Sequence, residues 1–256
     1  MLVGCWGMPE KTPAEWRVSC YKDGATTEAI ETVSVTAGSA GTSLGTFTPA
    51  GDDSLNSLHR LSYGYNRWSQ SAMRQWLNSD KPAGQWWTSQ NKFDRVPEQN
   101  ATKAGFMSGF EKEFLDCIQP IKVVTALNTV SDKAVGETEV TYDTFFLPSL
   151  EQMYITPQLA GEGDVWEYWK RASGMSTKMQ QWQTYPQIRT YAIESHTSAQ
   201  SVRLRSANRD NACNTWNVNS SGNVNNNNAV NALRCAPDCV VLRTYKLSHR
   251  DGVRPI

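Results

Sequence analysis

The sequence predicts an α+β domain, and three observations predict it. Apolar residues recur at helical spacing in two stretches between residues 69 and 119. The period changes to strand-like alternation after Pro120, and long polar connections fill much of what remains. Function in such a mix sits on loops held by a scaffold. The 256 residues suffice for one large domain or a domain with a modest appendage. A hydrophobic content of 39%, with ten Trp, nine Tyr and seven Phe, can fill a core of that size. Residues 1–53 read as N-terminal strands and a linker, either part of the main domain or appended to it, and residues 54–256 as the main domain.

The elements follow in order. Residues 16–22 and 27–37 alternate as strands around the hairpin signal Asp23-Gly24. A Gly-, Ser- and Thr-rich linker covers 38–53. A first helix over 69–78 groups Trp68, Ala72, Met73, Trp76 and Leu77. A second, over 103–119 and closed by Pro120, carries the stripe Phe106, Phe110, Phe114, Cys117 and Ile118, which reads as core. Strands are expected over 121–130 and 138–146, around a turn at 132–136. Short helical pieces are expected over 147–154 and 165–173, then strands over 187–193, 201–205 and 240–247.

Charge excludes some functions. Lys and Arg number 25 and so do Asp and Glu, leaving no basic footprint to meet phosphate or an anionic membrane surface. No apolar run approaches the roughly 18 residues that cross a bilayer. The opening Leu2-Val3-Gly4-Cys5 has the letters of a lipidation box, but no basic segment or apolar run precedes it, so an export signal is not expected. The six cysteines, Cys5, Cys20, Cys117, Cys213, Cys235 and Cys239, are scattered, and buried thiols are expected rather than a disulfide framework. Cys235-x3-Cys239 lacks the spacing of a zinc knuckle, and no metal or other cofactor is expected.

The segment 208–233 stands apart. Asparagine holds eleven positions: Asn208, Asn211, Asn214, Asn217, Asn219, Asn223, Asn225, Asn226, Asn227, Asn228 and Asn231. A disordered low-complexity linker would have that composition. Against it stand Trp216, Val218 and Val224 as buried-type anchors, and the apolar strand that follows at once. Asn tolerates left-handed backbone and caps its own turns, so a scaffold can order such loops. Asn and Ser with an occasional Trp also offer the adaptable contacts of a binding surface.

The order of Trp68-Ser69-Gln70-Ser71, Arg74-Gln75-Trp76-Leu77-Asn78, Asp143-Thr144-Phe145-Phe146-Leu147-Pro148-Ser149 and Leu204-Arg205-Ser206-Ala207-Asn208-Arg209 resembles the formylglycine-generating-enzyme-like branch of the C-type lectin fold. Leu233-Arg234-Cys235-Ala236-Pro237-Asp238 is similar to that branch's closing strand. The last third further resembles the variable region of diversity-generating retroelement proteins, over about 203–240. The resemblance covers roughly residues 55–245. It implies a C-type lectin-like fold with two helices, short strands and long ordered loops. In those systems adenine-directed copying rewrites Asn codons, which can then encode Asp, Cys, Thr, Val or Leu. Asp210, Cys213, Thr215, Val230 and Leu233, which interrupt the Asn pattern, are each reachable that way.

The enzyme branch uses a cysteine pair just upstream of the Arg-Ser-Ala strand, where this chain has Tyr191-Ala192-Ile193-Glu194-Ser195-His196-Thr197-Ser198. Oxidase chemistry is therefore not expected. The calcium triplets of lectins are missing, and Trp216-Asn217-Val218 breaks a Trp-Asn-Asp. Glu162-Gly163-Asp164 with Glu167 reads as a solvated turn. Of His59, His196 and His249, His196 with Ser195 and Glu194 beside it has the residue types of a hydrolase, but neighbours on a strand face opposite ways and form no triad.

The expectation is a non-catalytic binder. Its ligand surface comprises the eleven asparagines together with Asp210, Cys213, Thr215, Trp216, Val230 and Leu233. Asn211, Asn217, Asn225 and Asn227 are expected to be exposed and replaceable. The partner expected is a cell-surface protein or glycan of a target cell, with no nucleic acid and no membrane insertion. A phage tail-tip protein, trimeric in that setting, or a surface-displayed bacterial protein would use such a surface. The alternative is a fixed-loop enzyme or assembly module on the same fold.

Overall fold

The computed structural model describes residue 60, residues 63–91, 93–191 and 198–241, and the backbone of two N-terminal strands, β1 (Leu2–Trp6) and β2 (Arg17–Ser19). The strand expected over 27–37, the linker 38–53 and all three histidines lie outside the described residues. What is described is mixed α+β with short helices.

Helix α1 (Ala72–Leu77) begins where Ser71 caps it, its hydroxyl accepting the Arg74 N–H at 3.1 Å. Asn78 ends it and does more. Its Nδ2 donates to the carbonyls of Arg74 and Phe145, and its Oδ1 accepts the N–H groups of Thr144 and Phe145. One amide thus both caps the helix and fastens it to the segment that supplies Phe145 and Phe146. Trp76 is fully buried, with its indole N–H satisfied by the Ala104 carbonyl.

The expected helix over 103–119 is not continuous. After α2 (Glu98–Thr102) comes a 3-10 turn, Phe106–Gly109, an extended Phe110 (φ −107°, ψ 145°), and α3 (Lys112–Leu115). Gly105 explains the early break: a Cβ there would lie 2.2 Å from the Ser79 carbonyl, so the chain presses backbone to backbone. The phenylalanine stripe still finds the core. Phe106 meets Phe145 edge to face at 5.0 Å, and Phe110 stacks on Phe145 at 5.0 Å and on Phe114 at 5.1 Å. Ring packing outweighs helix propensity here.

Strands β3 (Ile121–Ala126) and β4 (Thr138–Asp143) form the expected antiparallel hairpin, with Ile121 opposite Asp143. In β4 the inward positions are polar. Glu139 takes the Arg67 guanidinium at 2.7 Å and the Ser69 N–H, while Asp143 takes the Trp68 indole N–H and the Arg74 guanidinium at 2.6 Å. The hairpin therefore grips the entry to α1 by charge-assisted bonds. Val140 and Tyr142 face outward.

The helical piece expected over 147–154 is a turn. Ser149 and Gln152 cap each other reciprocally, but Tyr154 takes a left-handed conformation (φ 62°) and stops the helix. Helix α4 (Glu167–Ser173) ends on the left-handed Gly174. The remaining strands are β5 (Thr190–Tyr191), β6 (Ala199–Gln200), β7 (Val202–Ala207), β8 (Asn214–Val218), β9 (Val224–Asn228), β10 (Arg234–Cys235) and β11 (Asp238–Val240). One sheet runs β10-β7-β8-β9, and another runs β11-β1-β2 with Leu2 opposite Val240. Two apolar clusters result. One gathers Trp68, Met73, Trp76, Phe106, Phe145 and Phe146. The other gathers Leu150, Ile155, Met179, Leu204, Trp216 and Val224.

Glu162 departs from its expected place on a solvated turn. Flanked by Gly161 and Gly163, both at positive φ, it turns inward and is 1% exposed. Its carboxylate accepts the Ala126 N–H at 3.0 Å and the Ser206 hydroxyl at 2.5 Å. Burial raises its pKa, against the Arg205 charge, the Ser206 hydroxyl and the Ala126 amide. Arg205, also buried, donates to the Leu147 carbonyl at 2.6 Å and to that of Glu162. The Leu-Arg-Ser-Ala strand is thus a structural rivet between the two clusters.

Candidate amide-rich binding face

The asparagine-rich stretch, expected as polar loops, is a β-hairpin. Strands β8 and β9 pair in strict register, Asn214 with Asn228, Trp216 with Asn226 and Val218 with Val224. The apolar Trp216, Val218 and Val224 alternate correctly for one buried face, and that period was the signal available in the sequence. The turn between the strands closes on Asn219, whose Oδ1 accepts the N–H groups of Ser221 and Asn223. Gly222 (φ 89°) leaves no room for a side chain, since a Cβ would stand 2.4 Å from the Tyr185 carbonyl.

The hairpin has two faces. Trp216 and Val218 face the second apolar cluster. The same face carries Asn214, whose Nδ2 donates to Asn226 Oδ1 at 2.8 Å. On the other face Arg203 of β7 sits opposite Asn217. The Arg203 guanidinium donates to the Thr215 hydroxyl and to the carbonyls of Asn228 and Asn231, the latter two at 3.1 and 2.7 Å. It ties the end of β9 down. Burial pushes this guanidinium down to about 10, opposed by the charge of Cys235. A small cavity lies beside it, lined by Tyr65, Asn66, Trp68, Arg203 and Thr215 among others.

Strand β9 lies at the sheet edge, yet its outward donors are taken. Val224 N–H bonds the Gln183 carbonyl at 2.9 Å, and Trp182 N–H bonds the Val224 carbonyl at 2.8 Å. Asn226 N–H is accepted by the Asn225 side chain at 2.7 Å, and Asn228 N–H by the Asn227 side chain at 3.0 Å.

The expected surface residues divide. Asp210 is exposed. Asn211, Asn214, Asn219, Asn223, Asn225, Asn226, Asn227, Asn228, Asn231 and Leu233 are half-buried. Asn208, Cys213, Thr215, Trp216, Asn217 and Val230, expected on the surface, are buried. Strand pairing is the reason for Thr215, Trp216 and Asn217, which lie on the inner of the two hairpin strands. Asn211, expected to be freely replaceable, accepts the N–H groups of Cys213 and Asn214 and caps its own loop.

Three supporting residues carried no sequence signal strong enough to single them out. Asn66 is buried and donates to the carbonyls of Asn208, Asn211 and Asn214 at 2.8–2.9 Å, fixing the loop before β8. Asn128 in turn holds Asn66 Oδ1 at 3.1 Å. Gln158 accepts the Trp216 indole N–H and reaches Asp210 Oδ2 at 2.8 Å.

These features define a mixed α+β domain that presents an amide-rich hairpin on a fixed framework. The chain belongs to the family described as a domain of unknown function, DUF6273, whose model matches residues 46–256. No curated protein and no solved structure matches it. Among the described residues, no group of three or more His, Cys, Asp or Glu side chains is arranged to hold a metal ion.

Proposed function

We propose that this protein is a non-catalytic ligand-binding protein whose contact surface is built on the β8–β9 hairpin. In this reading the α+β architecture is of the C-type lectin-like kind, and the asparagine positions are diversified by an adenine-directed retroelement. The observation that carries it is the Asn225–Asn228 run. Four consecutive amides stay half exposed on a strand whose position is set by other residues: Val224 opposite Val218, Gly222 at the turn and Arg203 beneath. Side chains on such a strand can change while the backbone stays. The partner is a protein or glycan on a target cell, met by a phage tail protein or by a surface-displayed bacterial binder.

The coding sequence tests this directly. Diversification requires a nearby, nearly identical copy of the segment encoding 203–240, differing from it almost wholly at adenines. Substitutions scattered evenly over all four bases, or clustered at the buried Trp216 and Val218 codons, would contradict it.

A further inference from the structure

Trp182 is 59% exposed and adopts a left-handed backbone conformation, φ 62°. A bulky residue meets that conformation at a steric cost, and an exposed loop position could take Gly or Asn without it. The surroundings nevertheless hold the tryptophan firmly. Its N–H bonds the Val224 carbonyl at 2.8 Å, and the preceding Gln180 and Gln181 anchor their side chains on Thr156. Its ring lies against the Trp216 ring at 5.2 Å, tilted 65°.

A row of chemistry leads away from that ring. The buried Trp216 donates its indole N–H to Gln158 at 3.1 Å, and Gln158 donates to the exposed Asp210 at 2.8 Å. Asn226 sits across the strand pair from Trp216, and Asn214 donates to Asn226. The exposed Trp182 thus packs on a buried ring whose own neighbours are amides that both donate and accept, and a carboxylate lies two hydrogen bonds from that ring. We propose that this row is a subsite for neutral pyranose sugars. The apolar C–H face of one ring would stack on Trp182, and adjacent hydroxyls would exchange hydrogen bonds with Asn214, Asn226 and Asp210. Hydroxyls match amides because each is donor and acceptor at once. An aromatic platform one indole wide fits one sugar ring, whereas a stable protein interface needs a far larger buried area. Asp210 disfavours acidic sugars by like charge. The proposal rests on the binding function above and names its ligand class.

The test is an array of neutral oligosaccharides ending in hexoses or N-acetylhexosamines, probed with the full chain in buffer containing EDTA. Wild type is expected to bind a subset of them without calcium. Trp182→Ala is expected to lose about tenfold or more in affinity, as removal of a stacked aromatic does. Its melting temperature should change little, because Ala keeps the Cβ that meets the steric cost at φ 62° and the ring removed is 59% exposed. Trp182→Phe, which keeps a ring, should retain part of the binding. A wild-type chain that binds no sugar on the array, or binding unchanged in Trp182→Ala, would overturn the subsite. If Asn225–Asn228 variants then still alter binding to whole target cells, the binding function stands and only its ligand class falls.

Discussion

Arg203 on β7 and Asn217 on β8 face each other across the sheet, and each keeps one buried polar atom, Nε and Nδ2, without a hydrogen bond. A buried donor left unmatched costs about 1–3 kcal/mol. Asn217→Val removes one such donor and adds a β-branched residue to a strand. It is expected to raise unfolding free energy by about 1 kcal/mol. Urea denaturation checks this, and a loss of similar size would mean that the Asn217 amide is satisfied in solution.

The asparagines should separate into two groups by stability. Asn225→Ser and Asn227→Ser are half-exposed changes and should stay within about 0.5 kcal/mol of wild type. Asn211→Ala removes the acceptor of two backbone N–H groups and should cost about 1 kcal/mol. Trp76→Ala, at a fully buried site, should cost about 3–5 kcal/mol. Thermal melts of the four variants side by side give the ranking. Equal losses at 225, 227 and 211 would mark the whole hairpin as scaffold.

Much of this was legible in the sequence and some was not. The β3–β4 hairpin and the core identity of Trp76 follow from period alone. The helix over 103–119 was not legible, because its stripe satisfies helical spacing while Gly105 answers to a contact with Ser79, distant in the fold pattern. The hairpin in 208–233 was marked only by Trp216, Val218 and Val224, since four asparagines in a row erase the alternation that would identify β9 as a strand. Burial of Glu162 depended on Ser206 and Ala126, partners that only the folded chain brings together.

Gly222→Ala should break the β8–β9 hairpin. It places a Cβ 2.4 Å from the Tyr185 carbonyl at a backbone φ of 89°. The expected cost is about 1–3 kcal/mol from backbone strain alone. Amide hydrogen exchange should show the loss of protection concentrated in 214–228. Uniform loosening of the whole chain would contradict the local account.

Glu162 sets a pH dependence with a defined sign. Its folded pKa lies above the ordinary 4.5, so the folded state keeps a proton that the unfolded state releases. The stability it contributes is full below pH 4.5 and is lost as pH rises through the folded value. Glu162→Gln copies the protonated form. The melting temperature of wild type minus that of Glu162→Gln should therefore fall as pH rises from 4.5. A difference that grows with pH would show that Arg205 keeps the carboxylate ionised.

The self-capping along β9 bears on solubility. An asparagine-rich edge strand is a template for stacking other chains, because open N–H groups and amide ladders favour intermolecular sheets. Here the outward N–H groups of residues 224, 226 and 228 are occupied by Gln183, Asn225 and Asn227. The side chains of Asn225 and Asn227 therefore occupy edge donors that another strand would otherwise use. Replacing Asn225 and Asn227 together with Val should leave the fold intact and uncover two adjacent donors. Sedimentation velocity should then detect concentration-dependent association that wild type does not show. A repertoire built on this strand would be limited by aggregation before it is limited by folding.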